Sequence, residues 1–376
     1  MELKNVIISG GGTGGHIFPA ISIANEIRRR YPECVIHFVG AKGRMEEEKV
    51  PAAGYDIILL PVEGLSRGKN PIKLVVTVWK LLRSQLQIRR ELKRIKPQIV
   101  IGVGGYASAP TLLEANRLGI PTLVQEQNSF AGKTNKLVGK KAQSICVAYK
   151  DMERFFPKAP RIILTGNPVR KQLAEVTPHS IEAYKYFGLD PQKKTLLVVG
   201  GSLGARTINR SIMEALQMFV ERADSIQLIW QCGKSYIKEA EATLHGLDSA
   251  PKSIIATDFI QRMDYAYAVA DLVISRAGAS SISELCMLGK PSILVPSPNV
   301  AEDHQTKNAQ ALVDEQAALL IPDSEAVKHL VPKAIELLDD TDLLASLATN
   351  ALKLGLPNAD QTIVNEIERI VEDKAK

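Results

Sequence analysis

Short runs of β-branched and other apolar residues recur along the chain, separated by longer stretches in which apolar positions return every three to four residues. The first pattern suits a buried strand and the second the inner face of a helix. Their alternation predicts βαβ units built on parallel sheets. In the first half the predicted strands are 6–9, 35–39, 57–60, 99–103, 122–125, 145–148 and 162–165; in the second they are 195–199, 227–230, 253–256, 272–275, 293–295 and 318–321. Each half opens with a strand that runs into glycines, Ser9-Gly-Gly-Gly-Thr-Gly-Gly-His16 and then Gly200-Gly-Ser-Leu-Gly204. The chain is therefore read as α/β, with two Rossmann-like domains whose parallel sheets face each other across a cleft. A ligand would sit there, at the carboxyl ends of the strands. Gly166-Asn-Pro-Val-Arg170 breaks the pattern and sets the boundary between domains at 1–165 and 166–355. The end of the chain, about 356–376, reads as a helix whose parent domain the pattern leaves open, packing back on the first domain being one outcome.

Length and composition agree with two domains: 376 residues exceed one ordinary core, and 45% of them are hydrophobic. The formal charge of +6 favours an anionic partner without choosing among phosphate, membrane and nucleic acid. Cys34, Cys146, Cys232 and Cys286 are far apart and form no CxxC pair, so they read as buried thiols in a reducing compartment. With no charged-then-apolar leader and no uncharged stretch of spanning length, the expectation is a cytoplasmic protein bound at most to a membrane surface.

The candidate chemistry lies in the glycine loops. Gly10, Gly12 and Gly15 fit GxGxxG, but the second strand ends in Gly40-Ala-Lys42 without the acid that would hold a dinucleotide ribose. What remains is the physics of close backbone approach and a helix start, which favour a bound anion in both loops, with Ser202 adding a hydroxyl in the second. His16 follows the first loop, on a helix that Pro19 helps begin, and is favoured as a general base over an ordinary structural histidine. Arg276-Ala-Gly-Ala-Ser-Ser-Ile-Ser-Glu284 would open a helix toward an anion, with Glu284 one turn on to accept from ribose hydroxyls; a Ser-capped helix with Glu as capping-box partner explains the spacing equally well.

With these residues in view, the chain resembles the inverting UDP-N-acetylglucosamine transferases of glycosyltransferase family 28, which complete the peptidoglycan precursor lipid II and have the two-domain GT-B fold. The resemblance covers nearly the whole chain. It rests on Gly11-Gly-Thr-Gly-Gly-His16, Gly104-Gly-Tyr-Ala-Ser-Ala-Pro110, Gln125-Glu-Gln-Asn128, Thr134-Asn-Lys136, Gly166-Asn-Pro-Val-Arg170, Gly200-Gly-Ser-Leu-Gly-Ala-Arg206, the 279–284 helix and His304-Gln305. It implies that Ser202 and the helix start at Ala279, Ser280, Ser281, Ile282 and Ser283 hold the UDP diphosphate. Glu284 would hold the ribose, Arg170 and the backbone around Ile260 the nucleotide, and Asn128 and Gln305 the sugar. Thr13, Gly14 and Gly15 would face the donor from the other domain; His16, Tyr106, Glu126 and Asn135 would line the acceptor side, with Asn209 and Arg276 in the same motif set. The chain departs from the family at His304, where a glutamine is common, and at Leu203, where a polar residue is usual.

The implied reaction transfers N-acetylglucosamine to the 4-hydroxyl of the lipid I muramyl sugar in one inverting displacement. His16 is the expected base and Glu126 the second choice. Helix-start dipoles can stabilise the leaving UDP, so neither a metal nor a cofactor is called for, and Asp340-Thr-Asp342 reads as a solvated turn. The segment 72–96 carries eight Lys or Arg against one acid. Lys73, Lys80, Arg83, Arg90 and Arg94 stand beside an apolar stripe of Val75, Val78, Trp79, Leu82 and Leu86, which suits the cytoplasmic face of the inner membrane. Partners among cell-wall synthesis proteins are left open. The competing readings are a glycolipid synthase, a UDP-N-acetylglucosamine 2-epimerase and a non-catalytic UDP-sugar module; nucleic-acid binding ranks last, with 5% aromatics and no motif for it.

Overall fold

The computed structural model describes residues 2–62, 71–170, 173, 175–201, 203–247 and 253–376, with the main chain alone at 71–78 and 301. The chain divides into two units, Met1–Val169 with Asn358–Lys376, and Arg170–Pro357. Among the described residues each unit holds one parallel sheet. In unit 1 the strands are β1 (Asn5–Ser9), β2 (Val35–Ala41), β3 (Asp56–Leu60), β4 (Ile99–Gly102), β5 (Thr122–Glu126), β6 (Ser144–Val147) and β7 (Ile162–Leu164). They run in the order β3-β2-β1-β4-β5-β6-β7. Unit 2 has β8 (Lys194–Val199), β9 (Ile226–Gln231), β10 (Ile254–Thr257), β11 (Leu272–Ser275), β12 (Ser292–Leu294) and β13 (Leu319–Leu320), in the order β10-β9-β8-β11-β12-β13.

All thirteen predicted strands are present; β4, β5, β6, β9 and β11 are covered on both faces and read as largely apolar runs, whereas β7, β10 and β13 are only partly buried. Register follows the same logic, with Ile8 of β1 set between Phe38 of β2 and Ile101 of β4. The strand ends move by a residue or two, most at the edge, where β13 shortens to two residues.

Each sheet reverses its order once, between β1 and β4 and between β8 and β11. The loops leaving those pairs of strands diverge, and the crevice between them is where doubly wound sheets bind ligands. The helix Ala359–Ala375 belongs to unit 1. Its Ile363, Val364, Ile367, Ile370 and Val371 join the core beneath the helix Gly14–Arg30, each contributing about 1.5–3 kcal/mol of transfer free energy. Polar pins add direction: Tyr31 Oη donates to Glu368 at 2.9 Å and Arg30 pairs with the same carboxylate at 3.0 Å.

Candidate active site

At the switch point of unit 1 the loops after β1 and β4 interlock. Gly11 N–H donates to the Gly104 carbonyl at 3.3 Å, and a Cβ at Gly105, where φ is +87°, would lie 2.4 Å from Gly11 O. Only glycine permits that approach. Thr13 caps the helix Gly14–Arg30 in an extended conformation, so Gly14, Gly15 and His16 form its first turn. His16 Nδ1 lies 3.0 Å from Gly11 O and 3.3 Å from Thr13 Oγ1. Tyr106 follows Gly105 and is 48% exposed. Thr13, Gly14, Gly15 and His16 thus lie together at the helix start, and Tyr106 stands on the loop that interlocks with theirs. Pro19 falls inside the helix, past its first turn, so the start at Gly14 is set by Thr13, whose carbonyl accepts from His16 and Ile17 N–H.

The expectation that this loop offers successive N–H groups to an anionic ligand fails at Gly12. Its N–H already donates to Glu46 Oε2 at 2.7 Å, and Ala41 N–H donates to Glu46 Oε1 at 2.9 Å. The loop holds an internal carboxylate, and main-chain donors for a ligand are left to the helix start. Sequence reading missed Glu46 because Glu46-Glu-Glu-Lys49 has the look of a solvated charge run.

Glu126 ends β5 as a buried carboxylate with four donors. Oε1 accepts from Asn128 N–H at 3.0 Å and Asn128 Nδ2 at 3.1 Å; Oε2 accepts from Gly132 N–H at 3.0 Å and Asn135 Nδ2 at 2.9 Å. A carboxylate so engaged fixes the 126–135 loop and is a poor candidate for taking a substrate proton. That geometry weighs against Glu126 as second-choice base and favours His16. Asn135 is itself buried, its amide also donating to Gln125 O at 3.2 Å.

In unit 2 the helix Ala279–Met287 starts directly after β11, capped by Gly278 with no side-chain hydrogen bond. The Ser280 Oγ is buried and has no hydrogen-bond partner among the described residues. Ser283 Oγ donates back to Ala279 O at 3.0 Å, and Ile282 is buried in the core, so these two can offer a ligand little beyond their main chain. Glu284 is buried between Arg170, whose Nε is 3.4 Å from Oε1, and Tyr267, whose hydroxyl donates to Oε2 at 3.0 Å. Burial pushes the Glu284 carboxyl above its ordinary range, with the Arg170 charge and the Tyr267 hydrogen bond pulling it down. Burial also raises the Tyr267 hydroxyl well above its usual value, helped by the adjacent Glu284 charge. Tyr267 was not legible as a site residue; in the sequence it is one more aromatic on an apolar helix face.

The remaining expected donor residues are placed by other contacts. Ile260 N–H donates to Gln231 Oε1 at 3.0 Å, so only the carbonyl of Ile260 can serve as its main-chain contact. Gln305 Oε1 accepts from Ser297 N–H at 2.8 Å, and His304 Nε2 is 3.4 Å from Glu302 Oε2. Glu302 and Asp303 both have left-handed φ, +56° and +53°, a strain of roughly 1–2 kcal/mol each just before the helix His304–Asp314. Ser202 lies outside the described residues. Asn209 and Arg276 are held by internal contacts: Asn209 bridges Trp230 Nε1 and the Cys232 carbonyl, and Arg276 donates to the Val295 and Pro296 carbonyls. Asp340 accepts from Leu343 N–H at 2.9 Å, so the Asp-x-Asp is a helix cap.

Comparisons with known proteins bear on both units. Residues 6–147 match the glycosyltransferase family 28 N-terminal domain and residues 195–363 the glycosyltransferase family 28 C-terminal domain. A protein of Parabacteroides distasonis is 55% identical over 100% of both chains, and one of Phocaeicola vulgatus is 56% identical over 100% of this chain and 98% of its own. Both are named UDP-N-acetylglucosamine--N-acetylmuramyl-(pentapeptide) pyrophosphoryl-undecaprenol N-acetylglucosamine transferase. The crystal structure of MurG from Acinetobacter baumannii superposes with a TM-score of 0.79 at 29% identity, covering 97% of this chain and 99% of that one. A UDP-N-acetylglucosamine 2-epimerase structure reaches 0.65 at 17% identity, over 97% and 95% of the two chains, and shares the fold alone.

Proposed function

The chain belongs to glycosyltransferase family 28, and we propose how its residues carry the reaction that membership brings. It is an N-acetylglucosaminyltransferase that moves the sugar of UDP-N-acetylglucosamine onto lipid I, forming lipid II in peptidoglycan synthesis. The donor belongs to unit 2. N–H groups at the start of the helix Ala279–Met287, with the Ser280 hydroxyl, take the diphosphate, and the Glu284 carboxylate accepts from the ribose hydroxyls with Arg170 beside it. The acceptor belongs to unit 1, where His16 takes the proton of the 4-hydroxyl as that oxygen attacks the anomeric carbon. The new C–O bond forms as the bond to UDP breaks on the opposite face. The developing charge is met by fixed dipoles that need no reorganisation. Glu126 fixes both Asn135, which lines the acceptor side, and Asn128, which reaches the donor sugar.

The observation that carries the donor half is Ser280: a buried hydroxyl without a partner among the described residues, at a helix start, one turn before a buried carboxylate. UDP release from UDP-N-acetylglucosamine, with and without a lipid I analogue and with EDTA, tests the whole. Release is expected to depend on the acceptor and to survive EDTA. Turnover without acceptor, with free epimerised sugar, would put the epimerase reading in its place.

The membrane belongs to the same proposal. No helix among the described residues is long and apolar enough to cross a bilayer. On the helix Pro71–Ile95, Trp79, Leu82 and Leu86 are 57%, 54% and 62% exposed along one stripe. Arg83 lies over the Trp79 ring at 5.4 Å, and Lys80, Arg90 and Arg94 add charge. The side chains of Lys73, Val75 and Val78 lie outside the described residues. An apolar stripe flanked by cations suits peripheral binding to the anionic cytoplasmic leaflet that presents the lipid acceptor, at about 1 kcal/mol per cation near the surface.

A further inference from the structure

Glu46 is 1% exposed, and no step of the transfer described above uses it. It opens the short helix Glu46–Ala52 and is the one of three successive glutamates that turns inward: Glu47 accepts from Gly43 N–H at 2.6 Å and Glu48 pairs with Lys49 at 3.0 Å, both at the exposed surface. The space for its carboxylate is made by two glycines. A Cβ on Gly11 would lie 2.2 Å from Glu46 Cδ, and one on Gly40 would lie 2.5 Å from Glu46 Cγ.

The Gly12 N–H that donates to Glu46 Oε2 at 2.7 Å and the Gly11 C=O that lies 3.0 Å from His16 Nδ1 belong to the same peptide unit. One rigid plane therefore connects the carboxylate to the imidazole. A carbonyl oxygen can only accept, so this 3.0 Å contact, shorter than the 3.3 Å contact to the Thr13 hydroxyl, favours a proton on Nδ1 and with it the lone pair of the neutral ring on Nε2. Nε2 stands against Gly104, where a Cβ would come within 2.9 Å of it.

We propose that Glu46 is a positioning residue for the transfer: acting through the Gly11–Gly12 peptide, it holds His16 in the tautomer whose Nε2 can receive a proton. The inference rests on the reading of His16 as the base. A charge-assisted hydrogen bond to a peptide N–H polarises the amide and makes its carbonyl a stronger acceptor. Serine hydrolases obtain the same service from a carboxylate bound directly to histidine. Here the main chain stands between the two groups, and the arrangement also denies Gly12 N–H to a substrate phosphate.

The test is the tautomer of His16, read by long-range proton–nitrogen NMR of the full chain labelled with 15N-histidine. It is run at about pH 8.5, two units above the ordinary histidine pKa, and the His16 signals are assigned by their loss in His16→Asn. In the wild type the Nδ1-protonated form is expected; a ring protonated on Nε2 would overturn the proposal without any Glu46 variant. Glu46→Gln keeps the volume but offers an oxygen to only one of the two N–H groups. It should mix the tautomers and lower kcat about tenfold, a fraction of what a general base supplies, while the donor KM stays within about twofold of the wild type and the thermal melt remains cooperative. An unchanged tautomer in a folded Glu46→Gln variant sinks the proposal. A mixed tautomer with unchanged kcat upholds the positioning by Glu46 and instead overturns His16 as the base.

Discussion

The loop after β1 and the loop after β8 sit at the same place in sheets of the same order, and each is locked by a glycine from a neighbouring loop. A Cβ at Gly105 would strike Gly11 O at 2.4 Å; one at Gly233 would strike Gly204 N at 2.2 Å. What lies beside the two loops is different. In unit 1 the Glu46 carboxylate takes the Gly12 N–H; the first glycine of each loop donates alike to a neutral carbonyl of the adjacent strand, Gly10 to Val39 at 3.1 Å and Gly200 to Gln231 at 3.0 Å, and in unit 2 a neighbouring helix start carries the buried Ser280 hydroxyl. Two unit charges 4 Å apart repel by about 4 kcal/mol at an effective dielectric of about 20. A diphosphate is therefore disfavoured beside Glu46. One internal carboxylate is what sets the loop after β1 apart, and it fits the proposed division between a base in unit 1 and a diphosphate site in unit 2.

The interlocking glycines offer the largest way to break that difference. Gly105→Ala forces a side chain into the Gly11 carbonyl and should remove most of what the base supplies, about 10²- to 10⁴-fold in kcat. UDP affinity should hold, as read by steady-state kinetics and calorimetry. Gly233→Ala should do the reverse, raising the donor KM more than it lowers kcat.

On the membrane side, replacing Trp79, Leu82 and Leu86 together by Glu should weaken cosedimentation with anionic vesicles about 100-fold or more, given about 1.5–3 kcal/mol per buried apolar side chain. Turnover of a water-soluble acceptor should not change. Loss of both would show that the helix is part of the core of unit 1.

Glu284→Gln should weaken UDP binding about tenfold, the worth of one hydrogen bond to a charged group. Its effect on stability has the opposite sign. Burial raises the Glu284 carboxyl, so the folded chain holds that proton more tightly than the unfolded one. The stability it contributes is present in acid and is lost as pH rises through the folded pKa. At pH 8 the amide should melt no lower than the wild type, and the gap should close as pH falls. The smallest effect belongs to Asp340→Ala, which removes a cap worth about 1 kcal/mol. It should lower the melting temperature by a few degrees and leave turnover unchanged with or without EDTA.

How much of this was legible follows from how each feature is encoded. Strands covered on both faces, such as β4 and β11, write themselves as apolar runs and could be placed closely, while edge strand β13 left too little signal to fix its ends. Glycines with positive φ and the Ser-rich helix start are local features and could be read as such. Glu46 and Tyr267 could not, because their roles come from contacts across the fold: Glu46 reaches Gly12 over 34 residues and Tyr267 reaches Glu284 over 17. The donors around Glu126 were hidden for the same reason, since they come from the loop it organises.

The account turns on the claim that unit 1 supplies the base while unit 2 supplies the diphosphate site, and His16→Ala tests it most directly when turnover and UDP affinity are measured on the same preparation. The prediction is a loss of kcat of about 10²- to 10⁴-fold with UDP affinity within about twofold of the wild type. A variant that still turns over normally, or one that loses UDP binding along with turnover, would contradict it.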